Sequence, residues 1–349
     1  MTLPPNRDAS VDALRGLAVF TMIASNLAAE VMSESHPLLL RLYGSFAAAF
    51  FIAISGMMVY QMAKAKGYHA SHFLARGASI LLVGVLIDVF IWRIVPFMTV
   101  DVLYLIGVSL PIAYLFTRTN KTVRWLAIAL IFLATPILQN VLGYTSYPTE
   151  LTLTGQLTVI VPNQTSIINH WIVDGWFPIF PWLGFSLLGI NIAEWRLDHG
   201  NPAGGEEKTI IPLLSALSLF SGIAIWILYP GPLLVRAGYG ELFYPPTIGY
   251  ILTASGLFVL LLLAIDKSRS ASVYNPFEAL GESPLFIYII HLALIEYVFA
   301  AFVPNETLQA FLLSYAILTL IMGFVAYCLR AIKTKQLNLP RIIRFLIGS

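Results

Sequence analysis

Residues 10–32 read Ser10-Val11-Asp12-Ala13-Leu14-Arg15-Gly16-Leu17-Ala18-Val19-Phe20-Thr21-Met22-Ile23-Ala24-Ser25-Asn26-Leu27-Ala28-Ala29-Glu30-Val31-Met32. From Asp12 onward the run is long and apolar enough for a helix across the bilayer core, which takes about 20 mostly apolar residues. Nine further runs qualify, near 42–63, 73–93, 98–117, 123–142, 176–195, 209–229, 247–265, 283–303 and 307–329. A polytopic, all-α bundle of about ten transmembrane helices follows, because a backbone inside lipid must satisfy its own hydrogen bonds.

Composition agrees with this reading. Of 349 residues, 58% are hydrophobic and 11% charged, against roughly 25% charged in soluble domains. Mean hydropathy is +0.81, so apolar side chains must face lipid as well as one another. The net charge of +2 balances 20 basic against 18 acidic residues, which gives no reason to expect a nucleic-acid partner. The single cysteine, Cys328, lies in an apolar run and excludes an intrachain disulfide or a cysteine metal cluster. The first run has Asp12 and Arg15 at its entrance and only a weak cleavage-site mimic at Leu27-Ala28-Ala29-Glu30, so it is expected to be a retained span and not a signal peptide.

Lys and Arg concentrate on the cytoplasmic side of membrane proteins. With ten spans and a cytoplasmic N-terminus, only Arg41, Arg93 and Arg236 of the 20 Lys and Arg fall outside. Both termini are therefore expected in the cytoplasm. Three segments depart from short connections. Residues 143–175 form the longest outer segment, and Leu151 to Ile160 alternates like two short strands about a turn that could cap an external site. The stretch Asp198 to Lys208 reads as a flexible inner loop between two halves. The tail from Leu339 reads as a short interfacial helix, with Arg341 and Arg344 among apolar residues.

Ionisable groups within spans are costly and need a reason. Asp12 and Arg15 are three apart on one helix face, and Asp12 sits at the positive end of the helix dipole. By themselves these two favour a cap and ion pair that fix the first span. Asn26, Glu30 and His36-Pro37 follow. A neutral imidazole is a suitable general base, and an amide can donate to an oxyanion. A straight helix would hold the backbones of Asn26 and His36 about 15 Å apart. Ser33, Ser35 and the His36-Pro37 step are breakers that could fold His36 back toward Asn26. Spacing alone favours a solvated loop histidine. His291 lies within the ninth span, and Glu296, five residues on, should face elsewhere. Asp88 is mid-span, and Asp101 and Arg93 flank the third-to-fourth turn. Trp171, Trp176 and Trp182 read as an interfacial belt, while Gly44, Ala48, Ser55 and Gly56 permit close helix packing. His69 and His72 have no third ligand nearby, so no metal is expected.

The run Ser10 to Phe20, with Asn26 and His36 after it, resembles the start of heparan-α-glucosaminide N-acetyltransferase and its microbial relatives in the transmembrane acyl transferase superfamily. Phe50-Phe51-Ile52-Ala53-Ile54-Ser55-Gly56, Asp101-Val102-Leu103-Tyr104-Leu105-Ile106-Gly107, Phe180-Pro181-Trp182-Leu183-Gly184-Phe185 and Leu280-Gly281-Glu282-Ser283-Pro284-Leu285-Phe286-Ile287-Tyr288-Ile289-Ile290-His291 continue the likeness in order. It extends from residue 7 to about 300, within a single transmembrane acyltransferase-like domain taken as residues 1–349. The likeness implies that Asn26 and His36 are the catalytic pair; Asp12, Arg15, Asp101 and His291 are read as supporting residues, although a cap and ion pair, a pairing of Asp101 with Arg93 and a buried packing histidine account for them as well. It does not extend to the additional N-terminal luminal domain of the lysosomal enzyme, so a heparan-type substrate is not carried over.

The resulting expectation is an integral membrane acyltransferase, located in the plasma (inner) membrane of a prokaryote. It would move an acetyl or short acyl group from cytoplasmic acetyl-CoA or another acyl-CoA to a sugar amine or hydroxyl acceptor near the outer face. Lys64, Lys66, Arg76, Arg118, Lys121 and Arg124 would hold the nucleotide phosphates, although topology-setting charge accounts for such residues too. Expected partners are membrane lipid and a small-molecule or saccharide acceptor. A homodimer is compatible with the sequence. The rival class is a secondary transporter, with Asp88, Asp101, His291 and Glu296 lining a path, but the paired broken halves common in transporters are not apparent.

Overall fold

The computed structural model describes residues 7–32, 36–145, 147–160, 164–198, 207–229, 240–268, 271–303, 307–335 and 339–348. The inner loop expected between Asp198 and Lys208 lies mostly outside them. The helices in chain order are α1 (Ala9–Val31), α2 (Leu38–Gly44), α3 (Ala47–Ala65), α4 (Ala70–Ile87), α5 (Val102–Phe116), α6 (Lys121–Leu142), α7 (Ile167–Asn169), α8 (Ile179–Asp198), α9 (Glu207–Leu228), α10 (Ile248–Lys267), α11 (Asn275–Glu282), α12 (Pro284–Leu294), α13 (Ala300–Phe302), α14 (Leu308–Thr334) and α15 (Arg341–Ile347). Among the described residues, three π turns continue helices, at Asp88–Trp92 after α4, His170–Asp174 after α7 and Ile295–Phe299 between α12 and α13.

Among the described residues, eight helical segments are long and apolar enough to cross a membrane. A ninth arises if Ile167–Asp174 and Ile179–Asp198, bent by 47°, count as one broken span, and Val102–Phe116 is a shorter apolar helix. These ten segments coincide with the ten apolar runs of the sequence. The chain is an all-helical, polytopic membrane bundle.

It divides into two compact units, residues 1–50 with 258–349, and residues 51–257. In the first, α1 packs against α11, α12 and α14. Asp8 caps α1 by accepting from the backbone N–H groups of Ser10 and Val11 at 3.1 and 3.3 Å. Two glycines set the α1–α11 crossing. A Cβ on Gly16 would lie 1.7 Å from the Phe277 carbonyl oxygen, and one on Gly281 would lie 1.9 Å from that of Asp12. Backbones meet there, as small residues allow in membrane helices. The tail helix α15 exposes Ile342, buries Ile347 and is tied by the Ser283 hydroxyl to the Ile347 carbonyl at 3.0 Å.

In the second unit the same device recurs, with Gly56 against the Ser186 carbonyl and Gly189 against that of Ala53 joining α3 to α8. Trp182 departs from the belt reading. It is fully buried, packed on Phe177, Phe185, Phe243 and Tyr250, because the bend before α8 turns it inward. The stretch from Leu151 forms isolated bridges and no strand among the described residues: Leu151 pairs with Leu157, and Thr152 with Ile94. The tie is made by Val95 N–H to the Leu151 carbonyl at 2.8 Å and Leu153 N–H to that of Arg93 at 3.1 Å.

Candidate active site

The N-terminal end of α1 is a network of paired charges. Arg15 donates to Asp12 at 2.7 Å and to the Gly281 carbonyl at 3.0 Å, and Arg7 donates to both Asp12 oxygens at 2.8 and 3.1 Å. Asp12 is 4% exposed and Arg15 8%. The adjacent Glu282 accepts from Arg330 at 2.8 Å, and its carbonyl accepts from Lys333 at 2.7 Å and Arg7 at 3.3 Å. Buried charges are tolerated when each is paired in this way.

The other end of α1 is different. The helix stops at Val31, and the chain returns so that the His36 ring meets the backbone carbonyl of Ala28, two residues past Asn26. His36 is half-buried. Burial holds its pKa below the ordinary imidazole value, Arg41 lowers it further, and the Ala28 contact partly offsets both. A carbonyl only accepts, so it faces the protonated ring nitrogen and leaves the other nitrogen with its lone pair.

Asn26 does not look toward a loop. Its Nδ2 lies 2.9 Å from Nε2 of His291, whose Nδ1 is 3.0 Å from the Ile287 carbonyl. His291 is 0% exposed. One turn along α1, Glu30 is within electrostatic reach of Glu296. On a straight α-helix, Glu296 would point away from the face that carries His291. The span instead widens into the π turn at Ile295, which changes that register.

A sequence model of the catalytic domain of heparan-alpha-glucosaminide N-acetyltransferase matches residues 7–229. That is well over half of the chain, and it takes in α1 to α9. The chain belongs to the heparan-alpha-glucosaminide N-acetyltransferase catalytic family. No curated protein matches it.

Family membership makes the chain a membrane acetyltransferase. Asp12, Arg15, Asn26 and His36 lie inside the matched stretch, whereas His291 lies beyond it. The cations expected to bind phosphate fall in the second unit of this N-acetyltransferase family chain. Lys64, Lys66 and Lys121 are exposed, Arg76 is half-buried, and Arg118 donates to the Tyr114 hydroxyl at 2.5 Å with its guanidinium over the ring. Arg124 is placed otherwise: 1% exposed, it pairs with Glu194, donates to Asn191 at 2.6 Å and to the Thr119 carbonyl at 2.7 Å. Tyr60 also donates to Glu194, at 3.1 Å. Asp101 caps α5 through the Leu103 N–H at 3.0 Å.

Several polar residues escape a reading from sequence. Glu194 and Asn191 lie in an apolar run and carry the buried end of Arg124; their signal was a carboxylate inside a span. Asp88, singled out in the sequence as a mid-span charge in need of a partner, accepts from the Tyr104 hydroxyl at 2.5 Å. In the long segment 143–175, His170 is locked between the Met98 carbonyl at 2.6 Å and the Thr149 N–H at 3.3 Å, and Asp174 accepts from Thr165 at 2.6 Å and Thr145 at 3.3 Å. With both ring nitrogens occupied, His170 serves as a staple for this loop. Among the described residues, no group of three or more His, Cys, Asp or Glu is placed to hold a metal ion.

Proposed function

We propose that the protein transfers an acetyl or short acyl group from cytoplasmic acyl-CoA to a sugar amine or hydroxyl near the outer face of a prokaryotic plasma membrane, with His36 as general base. The supporting observation is the half-buried His36 ring, held by the Ala28 carbonyl with its pKa lowered. Such a ring is neutral at neutral pH and has one nitrogen open to take a proton. The acceptor nitrogen or oxygen attacks the thioester carbonyl while its proton passes to His36. The oxyanion that forms accepts a hydrogen bond from Asn26. Collapse breaks the carbon–sulfur bond, and the CoA thiolate takes the proton from His36. The imidazole could also attack first and carry the acyl group before the acceptor does.

Asp12 and Arg15 hold the first helix. The exposed cations Lys64, Lys66 and Lys121, with Arg118 and Arg76, would hold the nucleotide phosphates, while Arg124 is engaged by Glu194. Both termini lie on the donor side in this reading. The test is purified protein given labelled acetyl-CoA with amino sugars, neutral sugars or neither. Transfer or slow hydrolysis that disappears in His36→Ala is expected. Unchanged transfer in His36→Ala removes His36 from the mechanism, and proteoliposomes that move solute without any acyl-CoA would favour a transporter.

A further inference from the structure

We infer that His291 is a positioning residue: it takes no proton from the acceptor but fixes the Asn26 amide so that its second N–H is available to the developing oxyanion. The inference rests on the acyl-transfer reading above. It starts from the two faces of one ring. The Ile287 carbonyl, 3.0 Å from Nδ1, can only accept, so Nδ1 carries the proton. The neutral ring then has its lone pair on Nε2, and that nitrogen, 2.9 Å from Asn26 Nδ2, must accept from the Asn26 amide. The choice between the two orientations of the amide, otherwise free by rotation, is thereby made: NH2 toward His291, Oδ1 away. One N–H is spent on Nε2, and the other finds no partner among the described residues.

Neither ring nitrogen of His291 has spare capacity, and the ring is 0% exposed. It cannot exchange a proton with a substrate while both contacts last. Asn26 is half-buried, whereas His291 is fully buried. The contact joins residues 265 apart in sequence, and the α1–α11 crossing at Gly16 and Gly281 holds α1 against the segment that leads into α12. An amide held at one N–H by a buried, rigid acceptor is preorganised for its other donor, which is where an oxyanion-stabilising group gains its effect.

Two measurements test this. In detergent-solubilised protein with 15N-labelled histidine, His291 should show a protonated Nδ1 and an unprotonated, hydrogen-bonded Nε2 through neutral pH. The Nε2 resonance should move in Asn26→Ala. In the acetyl-transfer assay, His291→Leu should lower kcat by about tenfold or more, the rate equivalent of a misplaced hydrogen bond, with KM for acetyl-CoA little changed. His291→Gln, whose side-chain carbonyl can replace Nε2 as acceptor, should recover most of that loss. The double variant Asn26→Ala/His291→Leu should be no slower than Asn26→Ala alone. Multiplicative losses in the double variant, no rescue by glutamine, or an Nε2 resonance indifferent to Asn26 would each overturn the role. Full transfer by His36→Ala with the His291 pattern intact would overturn the base and leave this inference standing. Protein that neither transfers nor hydrolyses acetyl-CoA overturns both, while the nitrogen spectra still report whether the contact exists.

Discussion

The two ends of α1 carry similar numbers of polar groups and treat them in opposite ways. At the N-terminal end, Asp12 and Arg15 have partners on every side: Arg7, the Gly281 carbonyl and the neighbouring Glu282 network. At the C-terminal end, His36 and Asn26 each make one strong contact and keep an unused donor or acceptor at a half-buried surface. A network of mutually paired charges lowers the cost of buried charge and commits those charges to one another. A half-satisfied pair costs stability and gains reactivity, the usual exchange at active sites. In the proposed mechanism, one helix is anchored at one end and presents the reacting groups at the other.

If that contrast is right, His36→Ala gives the largest change. Acetyl transfer should fall by about 10²- to 10⁴-fold, the usual contribution of a positioned base, with thermal unfolding unchanged. Equal losses of activity and of folded protein would erase the distinction between the two ends. Asp12→Ala should do the reverse. Removing the carboxylate that two guanidiniums share costs about 3–5 kcal/mol, seen as poor yield and early melting, while the folded fraction transfers acetyl within a few-fold of the parent.

Gly281→Ala tests the anchor through packing alone, since its Cβ would meet the Asp12 carbonyl oxygen at 1.9 Å. Overpacking of this kind costs about 1–3 kcal/mol, so a melting temperature equal to the parent's would show that the helices part without cost.

Arg41→Gln should have the smallest effect. A base works only when neutral, so transfer falls as pH drops through the His36 pKa. That pKa is held down by burial first and by Arg41 second. Removing the cation raises it, and the acid limb of the pH–rate profile should shift to higher pH. A shift to lower pH, or none, would mean that another group sets that limb.

Much of this architecture is legible in the sequence. The ten apolar runs became ten helical segments, and Gly56, read as permitting close packing, proved to be a place where backbones touch; the same role of Gly16 and Gly281 was not read from the sequence. The family was legible from Ser10 to Phe20 and the signposts after it. The partner of Asn26 was not, nor was the burial of Trp182, nor the commitment of Arg124 to Glu194. Arg124 looked like one more loop cation because its neighbours Arg118 and Lys121 are exposed; only the packing of α6 on α8 takes it inside. Glu296 looked misdirected because helical periodicity assumes an unbroken helix, and the π turn at Ile295 breaks that assumption.

Hydropathy alone committed the chain to membrane helices and set where each one runs, since a lipid environment gives the backbone no partner outside its own helix. Which polar group meets which was settled only by the crossing of those helices. The Asn26–His291 contact depends on the angle and depth at which α1 passes α11 and α12. That geometry follows from backbone contacts at Gly16 and Gly281, residues 265 apart in sequence, and no local pattern of residues records it.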